Sequence, residues 1–487
     1  MPGITLVGLG PGHPRHLTLE AWEVLRQADE VYVRTRQHPT VKALPVTVRV
    51  EAFDHVYEEA ETFDQVYETI VERVLALARR PQGVIYATPG HPLVGEVTGH
   101  ALVRRAREEG LPVRIVEGMS FLAPVFRALG KDPFPRTALV DALELAQRHV
   151  PSFPPNYPAL VVQLYARHVA SNVKLCLMHH YPDEHPVVLV HRAGLPDERV
   201  EEVPLYALDR SEHIGVLTTL YVPPLAEETA FESFQEVIAR LRAPDGCPWD
   251  RKQTHRSLRP YLLEEAYEVL EALDREDPEA LKEELGDLML QILMHTQIAT
   301  EEGEFTMPQL LQTAVTKMIR RHPHVFGDVH VETADEVLRN WEQIKQREAE
   351  RQGKNDKSLL DGVATELPAL AKAQAVQRKV AEVGFDWDSV EPVWQKVQEE
   401  LEEVRRASTP EERVREMGDA FFALVNLARW YNVDAESALR EAVLRFMDRF
   451  REVERRLRQQ GRSLQEATLV EMDTLWEEIK REEKNNA

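Results

Sequence analysis

The chain has 487 residues, enough for about two to four domains and an ample core. Its formal charge of −23 argues against a surface that tracks nucleic-acid phosphates, which needs a basic stripe, so no nucleic acid polymer is expected as a partner. Cys176 and Cys247 supply neither a disulfide framework nor metal-ligand spacing, residues 1–12 lack a basic-then-apolar leader, and no apolar run reaches membrane-spanning length; a cytoplasmic protein with no membrane partner is expected.

Residues 4–9 (ITLVGL) read as a short buried strand entering the loop Gly8-Leu9-Gly10-Pro11-Gly12. This loop is neither a Walker A loop, since no Lys-Ser/Thr follows, nor GxGxxG. A helix over 18–28 and a strand over 30–34 come next. Then follow a helix over 62–79, a strand over 83–87, the loop Thr88-Pro89-Gly90-His91-Pro92, a helix over 96–109, and a strand over 113–116 that ends at Glu117-Gly118-Met119-Ser120. Alternating strands and helices imply a mainly parallel sheet with ligands at the carboxyl ends of its strands, where all three glycine loops fall. A second α/β segment carries strands near 159–164, 186–191 and 215–221.

The stretches VGLGPGHPRHLTLEAWEVLRQADEVY, ATPGHPLVGE, VEGMSFLAPVF and QLYARHVASNVKL…HRAG resemble the tetrapyrrole (corrin/porphyrin) methylase family over about residues 1–222. The resemblance implies two α/β halves holding S-adenosylmethionine between them. It places Gly90, His91, Pro92, Leu93, Val94, Met119, Ser120, Tyr165, Ala193 and Gly194 near that cofactor, with Gly8 to Gly12 facing the methyl acceptor. Members that methylate corrinoids or porphyrins usually carry Gly-Asp-Pro where this chain has Gly90-His91-Pro92, which removes an acid from the cofactor site.

Pro223-Pro224 ends the α/β region, because neither proline continues a sheet ladder or a helix interior. Beyond residue 227 the apolar period becomes helical throughout. Glu265 and Glu268 share one helix face, and Glu284 and Asp287 share the next. Asp277 is the expected N-cap between those helices, with Pro278 at the first helical position. Asp287 sits in the run Leu285, Leu288, Met289, Leu290, Ile292, Leu293, Met294, which reads as buried, and a buried carboxylate needs a partner or a metal. Four acids from two helices, without His or Cys, describe an all-oxygen site suited to Mg²⁺ or Mn²⁺. A ferritin-type di-iron site wants Glu-x-x-His on two helices, and no acid pair here has that histidine.

The helical half repeats itself. Glu264-Glu265-x-x-Glu268 recurs as Glu399-Glu400-x-x-Glu403, and Glu284-x-Gly286-Asp287 recurs as Glu416-x-Gly418-Asp419. Lys317 and Arg321 recur as Arg445 and Arg449, and Trp341 as Trp476. A polar stretch over 351–357 reads as the link between the two copies. GCPWDRKQTH, the acid pairs and RRHPHVFGD, with VGFDWDS…EELEEV…EMGD in the second copy, resemble the MazG family of nucleoside triphosphate pyrophosphohydrolases. The whole chain thus resembles a YabN-type fusion of the two families.

The resemblance implies attack at the α-phosphorus of a nucleoside triphosphate, releasing a monophosphate and pyrophosphate. Glu265, Glu268, Glu284 and Asp287 are the expected metal ligands of the first copy, and Glu400, Glu403, Glu416 and Asp419 those of the second. Glu264 and Glu265, with Glu399 and Glu400, are the candidate catalytic acids. Lys317, Arg320, Arg321, Arg445 and Arg449 are candidates for the phosphate tail, because cations stabilise transferring phosphoryl groups, and Trp249 is a candidate for stacking on the base.

The expected fold is multidomain. An N-terminal α/β methylase-like domain over 1–222 precedes two all-α MazG-like helical-bundle repeats over 223–350 and 351–487. One copy does not complete a bundle by itself, so the two copies are expected to pair, within or between chains, and a homodimer is expected. The competing reading is an S-adenosylmethionine-dependent methyltransferase whose helical half serves oligomerisation or nucleotide sensing.

Overall fold

A computed structural model describes residues 2–60, 62–351 and 358–486, so all but the first residue of the expected link at 351–357 lies outside the described residues. The chain forms two compact units, Met1–Arg251 and Lys252–Ala487.

The first unit opens with β1 (Ile4–Gly8), α1 (Leu19–Gln27), β2 (Glu30–Val33), β3 (Arg49–Ala52), α2 (Asp54–Glu59), α3 (Phe63–Ala78), β4 (Val84–Thr88), α4 (Val97–Glu108), β5 (Val113–Val116) and α5 (Leu122–Leu129). The strands form one parallel sheet in the order β3-β2-β4-β1-β5. β1 is apolar on both faces because both are covered. Leu6 and Tyr86 pack with Ile70 and Leu102 on one side of the sheet, and Val7 and Val31 with Leu25 on the other. The helices begin where the sequence offers a side-chain oxygen. Thr18 accepts from the Ala21 N–H, Thr62 forms a capping box with Gln65, and Glu96 accepts from the Thr98 N–H.

A second sheet follows, built from β6 (Ala138–Asp141), β7 (Ala159–Val162), β8 (Pro186–His191), β9 (Arg199–Pro204) and β10 (Thr218–Val222), with α6 (Ala142–Leu145) and α7 (Arg167–Leu177) beside it. Its order is β6-β7-β10-β8-β9, and only β6 and β7 run parallel. The parallel sheet expected of the opening strands and helices is thus present, while the second half is mixed. There β8 and β9 join as an antiparallel pair, and β10 inserts between β7 and β8. α8 (Phe231–Arg242) completes the unit.

The second unit is helical: α9 (His255–Asp274), α10 (Pro278–Glu302), α11 (Met307–Arg321), α12 (Pro323–Phe326), α13 (Ala334–Arg351), α14 (Ala369–Ala381), α15 (Val390–Arg406), α16 (Pro410–Trp430), α17 (Ala435–Gln459) and α18 (Leu469–Asn486). Asp277 caps α10, its carboxylate accepting from the N–H groups of Glu279 and Ala280 at 3.1 Å each. α9 packs on α10 and α15 on α16, so each acid motif stands on its own antiparallel hairpin. The two hairpin regions are tied by Arg440 on α17, whose Nε lies 2.6 Å from Asp274 at the end of α9. Among the described residues no helix is long and apolar enough to cross a membrane.

Candidate functional site

On the first hairpin, Glu265 and Glu268 project from α9 toward Glu284 on α10, and one carboxylate oxygen from each lies within 4.8 Å of the others. Partial burial, followed by the charges of Asp287 and Glu268, holds the Glu265 carboxyl above its ordinary range. Glu284 is raised as well, by burial and then by Glu268, Glu283, Asp287 and Glu271. The charges acting most on these two groups are all negative. Gln291, one turn beyond Asp287, is buried, faces Glu265 with its amide and leaves its Oε1 without a partner. Spacing alone identified the acids but not this glutamine, whose place on the same face of α10 was the available signal.

The surroundings of Asp287 correct the sequence reading. Asp287 is exposed, and its neighbours Leu285, Met289 and Ile292 are close to half exposed, while Leu293 and Met294 are buried. The apolar run is a stripe on one face of α10 rather than the inside of a core. The Asp287 carboxylate therefore stands at the surface and is not held in an apolar interior. Glu264 is exposed on the flank of the cluster.

On the second hairpin, Glu400, Glu416 and Asp419 likewise bring oxygens within 4.8 Å of one another, with Glu403 one turn beyond Glu400 on α15. Glu400 is 6% exposed, and its Oε2 has no hydrogen-bond partner. Here bases stand on the acids. Lys396 Nζ lies 2.7 Å from Glu400 and 3.0 Å from Glu399, and Arg415 Nη2 lies 2.8 Å from Glu416. Those contacts push the Lys396 ammonium and the Arg415 guanidinium up from their ordinary values. Neither base was anticipated, although the four-residue spacing of Lys396 and Glu400 is legible.

The expected phosphate-binding bases are held elsewhere. Arg320 and Arg321 of α11 both pair with Glu348 of α13, at 2.7 and 2.8 Å, and the Arg321 guanidinium lies 5.8 Å over the Trp341 ring. The same bracket recurs downstream. Arg449 of α17 pairs with Glu483 of α18 at 2.7 Å and lies 5.7 Å over Trp476. Arg445 pairs along its own helix with Glu441, and Lys317 is exposed on α11. Trp249 is exposed in the first unit.

In the first unit the three glycine loops meet at the ends of β1, β4 and β5. Gly90 and Gly10 exchange backbone hydrogen bonds, at 2.8 and 3.1 Å. A Cβ on Gly8 would stand 2.5 Å from Gly118 and 2.6 Å from the Gly90 carbonyl oxygen, so glycine is required there by close approach of backbones. In the following loop the His91 ring accepts from the Leu93 N–H, and His91 and Val94 form a short bridge around Pro92. Met119 is exposed beyond β5, and the Ser120 hydroxyl accepts from the Leu122 N–H. Tyr165 follows β7. Ala193 and Gly194 follow β8, where a Cβ on Gly194 would stand 2.8 Å from the His16 ring. All ten expected cofactor residues thus lie at strand ends, on loops rather than inside elements.

A polar cluster not anticipated from the sequence lies beside these loops. Arg34 donates to Glu96 at 2.6 Å and to Tyr57 at 2.8 Å, and Glu96 also accepts from the Thr98 hydroxyl at 2.5 Å. The Glu96 side chain is only 2% exposed.

Two family models match the chain: Tetrapyrrole (Corrin/Porphyrin) Methylases over residues 3–209, and the MazG nucleotide pyrophosphohydrolase domain over residues 253–326. The Bacillus subtilis protein YabN is 42% identical over 492 residues, covering 99% of both chains. The nucleoside triphosphate pyrophosphohydrolase/pyrophosphatase MazG of Thermotoga maritima is 44% identical over 250 residues, which span 51% of this chain and 95% of that protein. Among solved structures, a uroporphyrin-III C-methyltransferase from Thermus thermophilus is 27% identical and is matched over 46% of this chain and 94% of its own, with a TM-score of 0.38.

Proposed function

The chain belongs to the YabN family, in which a tetrapyrrole methylase domain is joined to a MazG domain, and on that premise we propose that its helical half hydrolyses nucleoside triphosphates to monophosphates and pyrophosphate with Mg²⁺. Residues 1–222 are the methylase-like domain, and 223–350 and 351–487 are two MazG-like copies. The observation that carries the reading is the cluster of Glu265, Glu268 and Glu284, whose oxygens lie within 4.8 Å and whose strongest charged neighbours are all acidic. Crowded carboxylates without a base suit a divalent cation, and their oxygen-only donor set fits Mg²⁺ or Mn²⁺. When bound, the cation supplies the positive charge that admits a polyphosphate and acidifies water there.

The residues then divide the work. Glu265, Glu268, Glu284 and Asp287 hold the metal in the first copy, and Glu400, Glu403, Glu416 and Asp419 in the second. Glu264 and Glu399, exposed on the flanks, orient water. A second copy of the chain covers the exposed stripe of Leu285, Met289 and Ile292 on α10, together with Phe421 and Phe422 on α16, giving a homodimer.

The test is a panel of nucleoside triphosphates with product analysis for the parent, Glu265→Ala and Glu400→Ala. Pyrophosphate release lost in one variant assigns the working copy. Unchanged release when both acids are removed rejects the assignment.

A second reading concerns the methylase-like domain. Gly8 and Gly118 close on each other and on the Gly90 carbonyl with no room for a Cβ, while Gly90 itself faces open space where a Cβ would meet nothing within 4 Å. That bare backbone suits the close approach of a small ligand, and S-adenosylmethionine is the methyl donor these strand-end loops would hold. Calorimetric titration with S-adenosylhomocysteine tests it, and absence of binding rejects it.

A further inference from the structure

We infer that the two acid quartets accept a divalent cation under different conditions: the first takes it directly from solution, and the second takes it together with a triphosphate. This rests on the reading of the quartets as metal sites. The ground for the difference is the set of residues at equivalent positions of the two hairpins. One turn before the buried glutamate, the first copy has Tyr261 and the second Lys396. Just before the glutamate of the partner helix, the first copy has Glu283 and the second Arg415. Two turns along from the first glutamate, the first copy has Glu271 and the second Arg406. Three bases in the second copy thus replace a tyrosine and two acids.

Two of these bases already occupy the second quartet, Lys396 on Glu399 and Glu400 and Arg415 on Glu416, at 2.7 to 3.0 Å. A cation arriving alone must displace them and then meets their charge at close range. A polyphosphate changes the balance, because its oxygens receive the ammonium and guanidinium as the carboxylates release them. The space for it is present: an open cavity of about 280 Å³ beside the quartet is lined by Arg406 and Arg415 together with Glu403, Glu412 and Glu416. The buried Glu400 Oε2, which has no partner, keeps one ligand position ready throughout. The acids of the first quartet, by contrast, bring their oxygens together with no lysine or arginine paired to them among the described residues.

The experiment measures Mn²⁺ retained by the full-length chain in ultrafiltration, with and without an α,β-methylene triphosphate that resists cleavage. Without the analogue, retention is lost in Glu265→Ala and unchanged in Glu400→Ala. With it, further Mn²⁺ is retained, and that increment is lost in Glu400→Ala. Lys396→Met tightens nucleotide-free Mn²⁺ binding at the second quartet by at least about tenfold and weakens the analogue, whereas Lys396→Arg keeps a cation and behaves as the parent. Equal sensitivity to Glu265→Ala and Glu400→Ala without the analogue, or unaltered isotherms in Lys396→Met, overturns the inference while leaving the metal sites standing. No Mn²⁺ retained under either condition overturns the metal reading itself.

Discussion

Replacing Glu265 with glutamine should stabilise the metal-free protein while destroying its metal site. Glu265 has an oxygen within 4.8 Å of a Glu268 oxygen, and Glu268 is exposed. With water-like screening, two like charges at that distance repel by roughly 1 kcal/mol. Relief of that repulsion raises the melting temperature of a unit this size by about 2–4 °C.

The pH dependence has a definite sign. Burial, then Asp287 and Glu268, hold the folded Glu265 carboxyl above its ordinary value of 4.5. The folded state therefore binds this proton more tightly than the unfolded state, and stability falls as pH rises from 4.5 through the raised value. The advantage of Glu265→Gln is full at pH 8 and shrinks as pH is lowered toward 4.5. Scanning calorimetry in EDTA reads both effects, and added Mg²⁺ raises the parent transition but not that of the variant. A variant that melts below the parent at pH 8 in EDTA would refute the reasoning, since Glu265 would then make a net favourable contact in the metal-free chain.

Two further outcomes concern the first unit. In Gly99→Ala the new Cβ would stand 1.8 Å from the Pro92 carbonyl oxygen, so α4 and the His91–Val94 bridge must separate. The expected cost is about 1–3 kcal/mol together with loss of S-adenosylhomocysteine binding, checked by calorimetry, and unchanged binding would remove that loop from the cofactor site. Arg34→Ala leaves the Glu96 carboxylate buried without its cation and costs about 3–5 kcal/mol in urea unfolding, with Arg34→Lys intermediate because one ammonium cannot reach both Glu96 and Tyr57 as the guanidinium does.

Local signals in the sequence were read well where local chemistry decides the outcome. Thr18, Thr62 and Asp277 start helices because each side chain satisfies an N–H that the helix leaves open. The glycine loops were placed at strand ends because a turn from strand to helix requires them. Strand direction in the second sheet is not legible in the sequence, because alternation of elements does not record it. There the direction is set by long-range pairing, such as Leu220 with Val161 on one side and with Leu189 on the other. The run around Asp287 was misread for a related reason. Periodicity shows that one face of α10 is apolar, not whether its cover belongs to the same chain.

The residues that recur in the two helical copies fall into two kinds. Arg321 over Trp341 with Glu348, and Arg449 over Trp476 with Glu483, recur with the same partners and fasten α11 to α13 in the first copy and α17 to α18 in the second. Such a bracket is kept because packing demands it, and it does not require that either copy react. The carboxylates recur too, but their companions do not: Tyr261, Glu271 and Glu283 in one copy stand where Lys396, Arg406 and Arg415 stand in the other. Bases set among acids lower the need for a metal and raise the attraction for phosphate, whereas acids among acids do the reverse. On the proposed reading of the quartets as metal sites, it is the differences between the copies, rather than their agreement, that would separate a site open to a bare cation from one that takes its cation with a polyphosphate.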